Sequence, residues 1–291
     1  MRAVVLDADG LPELAELPEP SGGGLLVDVA ACGLCGSDVE KLGRAAAGTV
    51  LGHEVVGTLE NGTRVTVMHH VPCGTCERCL AGHGSTCGEF RALRIAPGGF
   101  AERLRASHCV PLPRTGGPHD GVWVEPLACI VRAAELIPPG RVLVVGCGAI
   151  GQLWIQALAL RGHEVVASDI RDDRLAAVRE LGAAVDDSPV AAAVLTAHAG
   201  IDDALRRLEP GGTLLVFAAP DRPVEVPVDA VYRNELTIVG SRSATPAYFR
   251  SAVELLPRLV LPPVTRLPLD RFLEGVELYR RGEALKVVFT P

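Results

Sequence analysis

Val142-Leu-Val-Val-Gly-Cys-Gly-Ala-Ile-Gly151 decides how the second half of this chain is read. A short apolar strand runs into a G-x-G-x-x-G turn, and Ala149 to about Arg161 continues as a helix. Alone the glycine pattern is weak; between a strand and a helix it is strong. Gly146 permits the tight turn, Gly148 lets a pyrophosphate approach the backbone, and Gly151 lets helix and strand pack closely. The helix start, with Ala149 and Ile150, offers unpaired N–H groups to the phosphates. Asp169, at the end of the next strand, can accept hydrogen bonds from both hydroxyls of an adenosine ribose and would repel a 2′-phosphate. NAD is therefore favoured over NADP, a preference softened by Arg171 and Arg174 close by. The uncharged run Val142–Leu160 could also be taken for a membrane span. Its glycines at functional spacing exclude that, and nothing else in the chain resembles a span.

Outward from this stretch the texture changes on both sides. Downstream, strands at Val142–Val145, Glu164–Ala167, Ala193–Thr196, Leu214–Phe217 and Leu236–Val239 alternate with helices at Asp173–Leu181 and Asp202–Leu208. That alternation predicts a doubly wound parallel sheet. Pro210-Gly211-Gly212 reads as a turn. Upstream, the first ~120 residues carry short apolar runs, Val4–Leu6, Leu25–Val29, Val55–Leu59 and Arg64–Met68, punctuated by glycine; a small antiparallel barrel fits them. In the tail, Thr245-Pro246 opens a helix to about Leu256, Asp270 caps another to about Arg280, and Lys286–Phe289 is a final strand. The expected organisation is α/β with two domains: 1–125 with 240–291, and 126–239.

Composition narrows the function. Net charge is −7 and aromatics are 4%, so nucleic acid and anionic membranes are excluded as partners. No export signal precedes the nine cysteines, which implies a cytoplasmic protein with reduced thiols, where clustered cysteines point first to metal.

Cys73-Gly-Thr-Cys76-Glu-Arg-Cys79 followed by Cys87 is the strongest single motif. Four thiolates from one short loop can close a tetrahedral shell around Zn²⁺, leaving no vacant position and so no catalytic role. An iron–sulfur cluster is the competing reading. A second constellation is Cys35-Gly-Ser-Asp38, Gly52-His53-Glu54 and Glu125-Pro-Leu127. Each part is weak alone, but a cysteine, a histidine and a carboxylate supply the three ligands of a catalytic zinc with one position left for substrate. Cys32, Cys109, Cys129 and Cys147 lack ligand spacing and read as small buried residues. His69 and His70 are set aside because four thiolates already follow them, and His83, His108, His119, His163 and His198 as surface or loop residues.

With these motifs in hand, the chain resembles the zinc-dependent medium-chain dehydrogenase/reductase superfamily, nearest its sorbitol (L-iditol) and threonine dehydrogenase branch. The resemblance covers essentially the whole chain and includes Pro97-Gly-Gly-Phe-Ala-Glu102 and Glu235-Leu-Thr-Ile-Val-Gly-Ser241. It implies a GroES-like β-barrel catalytic domain beside a Rossmann domain, two zincs per chain, and hydride transfer between a secondary alcohol (a polyol, cyclitol or amino-alcohol) and NAD. Cys35 and His53 would hold the catalytic zinc, with Glu54 and Glu125 sharing or exchanging the acidic role. Asp38 would orient His53, and Ser37 would contact the substrate hydroxyl and start a proton relay. Glu40 stands where many polyol dehydrogenases place the relay histidine. Arg174 would lie near the adenosine, Phe217 and Ala218 beside the nicotinamide, and Lys286 near the pyrophosphate. A small-molecule alcohol or ketone is the expected partner, and a homodimer or homotetramer the expected assembly. The alternatives are a threonine-type or simple-alcohol dehydrogenase, and, from another class, a catalytically silent NAD-binding protein; the intact ligand set opposes the latter.

Overall fold

Short runs rich in apolar and β-branched residues, some alternating and some buried throughout, build the first eight strands. A computed structural model describes the chain apart from residues 92, 93, 114, 115, 198 and 219–222 and the side chain of residue 91; His198, set aside above, lies outside the described residues. Two compact units are present, Met1–Ala128 with Ser243–Pro291, and Cys129–Arg242. In the first, β1 (Arg2–Leu6) and β2 (Pro12–Glu16) form an antiparallel hairpin. β3 (Leu25–Gly33), β4 (Glu54–Leu59), β5 (Arg64–Val67), β6 (Ile95–Ala96), β7 (Arg103–Ala106) and β8 (Cys109–Pro111) extend an antiparallel sheet. β3 is its spine, paired with β4 along its length and with β7 over its first half. Val27 and Val29 of β3, Val65 and Val67 of β5 and Leu104 of β7 point to one core, as the period of two requires. Phe100, Phe272 and Phe289 meet there with ring centroids 4.7–5.5 Å apart.

The second unit is a five-stranded parallel sheet. β9 (Arg141–Val145), β10 (Glu164–Ser168), β11 (Val190–Leu195), β12 (Leu208–Val216) and β13 (Thr237–Gly240) lie in the order β10-β9-β11-β12-β13. Helices Ala149–Leu160, Asp172–Glu180 and Ile201–Arg207 connect the first four. Val142, Leu143 and Val144 are fully buried because helices cover a parallel sheet on its faces, which is why the strand reads as an unbroken apolar run. The uncharged stretch Val142–Leu160 thus divides into strand, turn and helix. Among the described residues no helix is long and apolar enough to cross a membrane.

The chain then returns to the first unit with helix Pro246–Leu255, β14 (Thr265–Pro268), helix Phe272–Arg280 and β15 (Val287–Thr290). β15 is an interior strand, parallel to β14 on one side and antiparallel to β3 on the other.

Two local expectations fail. Pro210-Gly211-Gly212 lies inside β12, where the pairing jumps from Val190↔Leu208 to Ala192↔Thr213, so the expected turn is absorbed as a bulge. Asp270 sits in a 3₁₀ turn, Leu269–Arg271, and the helix after it takes Arg271 at its N-cap without a side-chain bond.

Candidate metal centres and cofactor site

The four-cysteine lobe is stitched by sulfur contacts. Cys76 opens a one-turn helix, Glu77–Leu80, and that turn swings Cys79 back toward Cys73 and Cys76. Sulfur separations are 3.9 Å for Cys73–Cys79, 3.6 Å for Cys76–Cys79, 3.7 Å for Cys76–Cys87 and 3.6 Å for Cys73–Cys87. Disulfides require about 2.05 Å, and all nine cysteines are free. Four sulfurs held about 2.3 Å from one centre stand about 3.8 Å apart at the corners of a tetrahedron. The lobe therefore has the dimensions of a Zn–thiolate shell. The N–H of Cys76 donates to the Cys73 sulfur at 3.4 Å, and N–H donation by Thr75 and Cys76 brings the Cys73 thiol down to about 6, favouring the thiolate that a metal needs.

A second cluster forms where β3 ends. Cys35 is the N-cap of the four-residue helix Gly36–Val39. Asp38, on that helix and almost fully buried, accepts the Cys35 N–H at 3.1 Å and the Gly52 N–H at 3.3 Å, and faces His53 Nδ1 at 3.3 Å. Burial alone would raise the Asp38 pKa, but the charge and hydrogen bond of His53 carry it below the ordinary carboxylate value. Burial likewise opposes protonation of His53, and Asp38 reverses this, raising the imidazole well above its ordinary value. Asp38 thus turns Nδ1 toward itself and leaves Nε2 for a ligand. One donor atom each from Cys35, His53 and Glu54 lies within 4.8 Å of the other two, close enough for bonds of 2.0–2.3 Å to share a centre after small movements. Thiolate, imidazole and carboxylate together suit zinc.

His69, set aside on its sequence context, is brought into this region by register. β4 and β5 pair Val56↔Thr66, Gly57↔Val65 and Thr58↔Arg64; continuing outward sets His53 opposite His69, and their ring centroids are 4.6 Å apart. Donor atoms of His53, His69 and Glu125 also lie within 4.8 Å of one another. Glu125 is in the first turn of helix Val124–Ala133. The two glutamates thus flank His53 in different company, Glu54 with Cys35 and Glu125 with His69. The hairpin turn at Glu60-Asn61-Gly62 was the available signal, since folding the chain about it aligns 53 with 69.

Lys286 adds a buried ion pair to this cluster. Its ammonium is ion-paired with Glu54 and donates to the Leu34 carbonyl at 3.1 Å, with both side chains almost wholly buried, and it lies 5.4 Å from the Trp123 ring centroid. Gly33 makes the room: a Cβ there would stand 2.1 Å from a Glu54 carboxylate oxygen. Lys286 thus packs beside the Cys35–His53–Glu54 cluster through Glu54, with one of its three N–H donors unassigned by these two contacts. Ser37 Oγ donates to the Cys35 sulfur at 3.4 Å. Glu40 is exposed at the end of the same helix. The Tyr279 hydroxyl, also absent from the expected set, lies where a Cβ on Gly36 would come within 2.7 Å of it.

In the second unit, Gly148 is the N-cap of helix Ala149–Leu160, so the first N–H groups, with Ala149 and Ile150, are unspent by the helix. A Cβ at Gly151 would stand 1.9 Å from the Gly146 carbonyl oxygen; only glycine allows helix and turn to close like this. Asp169 accepts the Cys147 N–H at 2.6 Å and the Arg171 N–H at 2.9 Å, and Arg174 is 3.8 Å away. Arg171 is engaged by Asp173. Phe217 meets Trp154 edge-on at 5.2 Å, and the Phe217 and Ala218 N–H groups both donate to Leu195.

A thiolate–imidazole–carboxylate cluster on one unit and a glycine-turn parallel sheet on the other define a metal-assisted, nucleotide-linked oxidoreductase. The profile of the alcohol dehydrogenase GroES-like domain matches residues 21–114, and that of ketopantoate reductase PanE/ApbA matches residues 142–217. D-altritol 5-dehydrogenase of Agrobacterium fabrum is 33% identical over 322 aligned positions, covering 94% of each chain. L-threonine 3-dehydrogenase of Bacillus velezensis is 28% identical, covering 100% of this chain and 99% of its own. Galactitol-1-phosphate dehydrogenase from Escherichia coli superposes with a TM-score of 0.86 at 26% identity over 100% of both chains. A Sinorhizobium meliloti 1021 chain solved with NADP bound gives 0.88 at 26% identity, covering 100% of this chain and 99% of that one. The chain belongs to the zinc-dependent medium-chain dehydrogenase/reductase superfamily, in its sorbitol and threonine dehydrogenase-like branch, and is an alcohol dehydrogenase.

Proposed function

We propose that this chain interconverts a secondary alcohol of a polyol, cyclitol or amino-alcohol and its ketone, with NAD in preference to NADP and two zincs per chain. The carrying observation is that one donor atom each from Cys35, His53 and Glu54 lies within 4.8 Å of the other two, with Asp38 facing His53 Nδ1. When bound, zinc supplies Lewis acidity toward an alcohol oxygen, and the nicotinamide supplies the hydride acceptor. Cys35, His53 and a glutamate hold the cation; Asp38 fixes the ring that presents Nε2. Ser37, its hydroxyl already beside the Cys35 sulfur, accepts the substrate proton as it releases its own, and exposed Glu40 can pass that released proton to solvent. Gly146, Gly148, Ala149, Ile150 and Gly151 cradle the pyrophosphate. Asp169 reads the adenosine ribose with Arg174 beside it, and Phe217 and Ala218 line the nicotinamide site. The names of the relatives, altritol, galactitol-phosphate and threonine dehydrogenases, support a hydroxylated substrate. A cytoplasmic homo-oligomer is the accompanying reading. NADH formation across a panel of polyols, cyclitols, amino-alcohols and simple alcohols, with NADP run in parallel, tests the proposal. No turnover of any polyol, cyclitol or amino-alcohol by zinc-loaded protein would end it.

A further inference from the structure

Most backbone groups of the glycine turn are already engaged, and one side chain outside the glycine pattern decides which. We propose that Thr196, the residue after β11, is a positioning residue for the dinucleotide. Its hydroxyl holds the Gly146–Cys147 peptide so that the N–H groups of Gly148, Ala149 and Ile150 are the ones left to the pyrophosphate. The inference rests on the reading that this turn receives a nicotinamide dinucleotide.

Buried backbone groups are paired as a rule, so each can be followed to its partner. The Gly146 N–H donates to the Ser168 carbonyl at 2.8 Å, and the Cys147 N–H to Asp169 at 2.6 Å. The Cys147 carbonyl accepts the side-chain N–H of Gln152 at 3.3 Å, and the Gly148 carbonyl accepts the Gln152 backbone N–H at 2.9 Å. Among the described residues, the Gly146 carbonyl has one donor, the Thr196 hydroxyl at 2.7 Å. The N–H groups of Gly148, Ala149 and Ile150 have no acceptor there.

Thr196 Oγ1 has one proton and two carbonyls within reach, Val145 at 2.9 Å and Gly146 at 2.7 Å. The Val145 oxygen already accepts the Thr196 N–H at 2.9 Å, so the hydroxyl proton belongs to Gly146. Gly146 has a φ of +94°, and a Cβ on it would stand 2.9 Å from the same hydroxyl, so the approach needs glycine. The peptide unit is planar. Holding its carbonyl to Thr196 therefore aims the Cys147 N–H, at the other end, toward Asp169. The carboxylate assigned above to the ribose thus also closes the turn, with Thr196 as the opposing grip. Without the hydroxyl the Gly146 carbonyl loses that donor, the plane can rotate, and the N–H groups that follow lose their aim. Pyrophosphate is common to NAD and NADP, so both cofactors should suffer alike.

Cofactor binding and amide exchange test this on the full chain. Dissociation constants for NADH and NADPH are read by fluorescence, and exchange of the Cys147 N–H by NMR in cofactor-free protein. Thr196→Ala should weaken both cofactors about tenfold and leave their ratio within about threefold of the wild-type ratio. It should also speed exchange of the Cys147 N–H about tenfold. Thr196→Ser keeps the hydroxyl and should stay within about threefold of wild type in every measurement. Should Thr196→Ala not fold, Thr196→Val, which keeps the volume and lacks the proton, takes its place in the same comparison. Wild-type affinity in the hydroxyl-free variant, Thr196→Ser as weak as that variant, a shifted cofactor ratio, or unchanged Cys147 exchange would each overturn the role of Thr196 and leave the cofactor site standing. A wild type that binds neither NADH nor NADPH overturns the cofactor reading and this inference together.

Discussion

Replacing Lys286 with methionine removes the buried ammonium that faces Glu54 and the Leu34 carbonyl. Methionine fills a similar volume, so packing changes little and the loss is electrostatic. Glu54 is 1% exposed and would be left as a charge with neither counterion nor water. Stripping one partner from such a pair costs about 3–5 kcal/mol. The first unit has about 180 residues, for which each kcal/mol moves Tm by about 2–4 °C. Lys286→Met should therefore lower the melting temperature of the protein stripped of its Cys35-site cation by about 6–20 °C, followed by circular dichroism. Glu54→Gln in the same background removes the stranded charge, so the double variant should recover at least about 2 kcal/mol. A drop of less than about 2 °C, or a double variant no more stable than Lys286→Met, would show that the pair carries no such weight.

Three other outcomes follow from the same geometry. Cys73→Ser breaks the tetrahedral sulfur set, and metal analysis should find about one zinc fewer per chain, with the remaining zinc still removable by chelator. Gly151→Ala drives a methyl against the Gly146 carbonyl, 1.9 Å from the ideal Cβ position; NADH binding followed by fluorescence should weaken at least about tenfold. Asp38→Asn keeps the shape but cannot anchor the His53 ring as an anion, so the dissociation constant for the Cys35-site zinc should rise about 10–100-fold. Unchanged competition with a metallochromic dye would contradict that reading of Asp38.

Much of this molecule could be read from local pattern. The β9–turn–helix stretch announces itself because strand, glycines and helix are contiguous, and the cysteine lobe because its donors fall within one loop. The residues that escaped sequence reading depend on contacts between distant segments. His69 joins His53 only once β4 and β5 pair. Lys286 reaches Glu54 only because β15 inserts beside β3, a contact spanning 232 residues. Asp270 looked like a helix cap, but a 3₁₀ turn displaced the helix start. Pro210-Gly211-Gly212 has turn chemistry, yet the parallel partners on either side hold it within β12 as a bulge.

The interior position of β15 has a consequence for how the chain assembles. Until residues 287–290 arrive, β3 keeps part of one edge bare, with N–H and C=O groups free to pair with another chain. The dinucleotide unit carries no such debt, since β9 to β13 find partners within a single continuous segment, and short-range closure is faster. We expect amides of β9 and β11 to gain protection before those at the β15-facing end of β3 in pulse-labelled hydrogen exchange during refolding, and the reverse order would refute this. The same delay marks β3 as the place where a crowded refolding mixture should begin to aggregate.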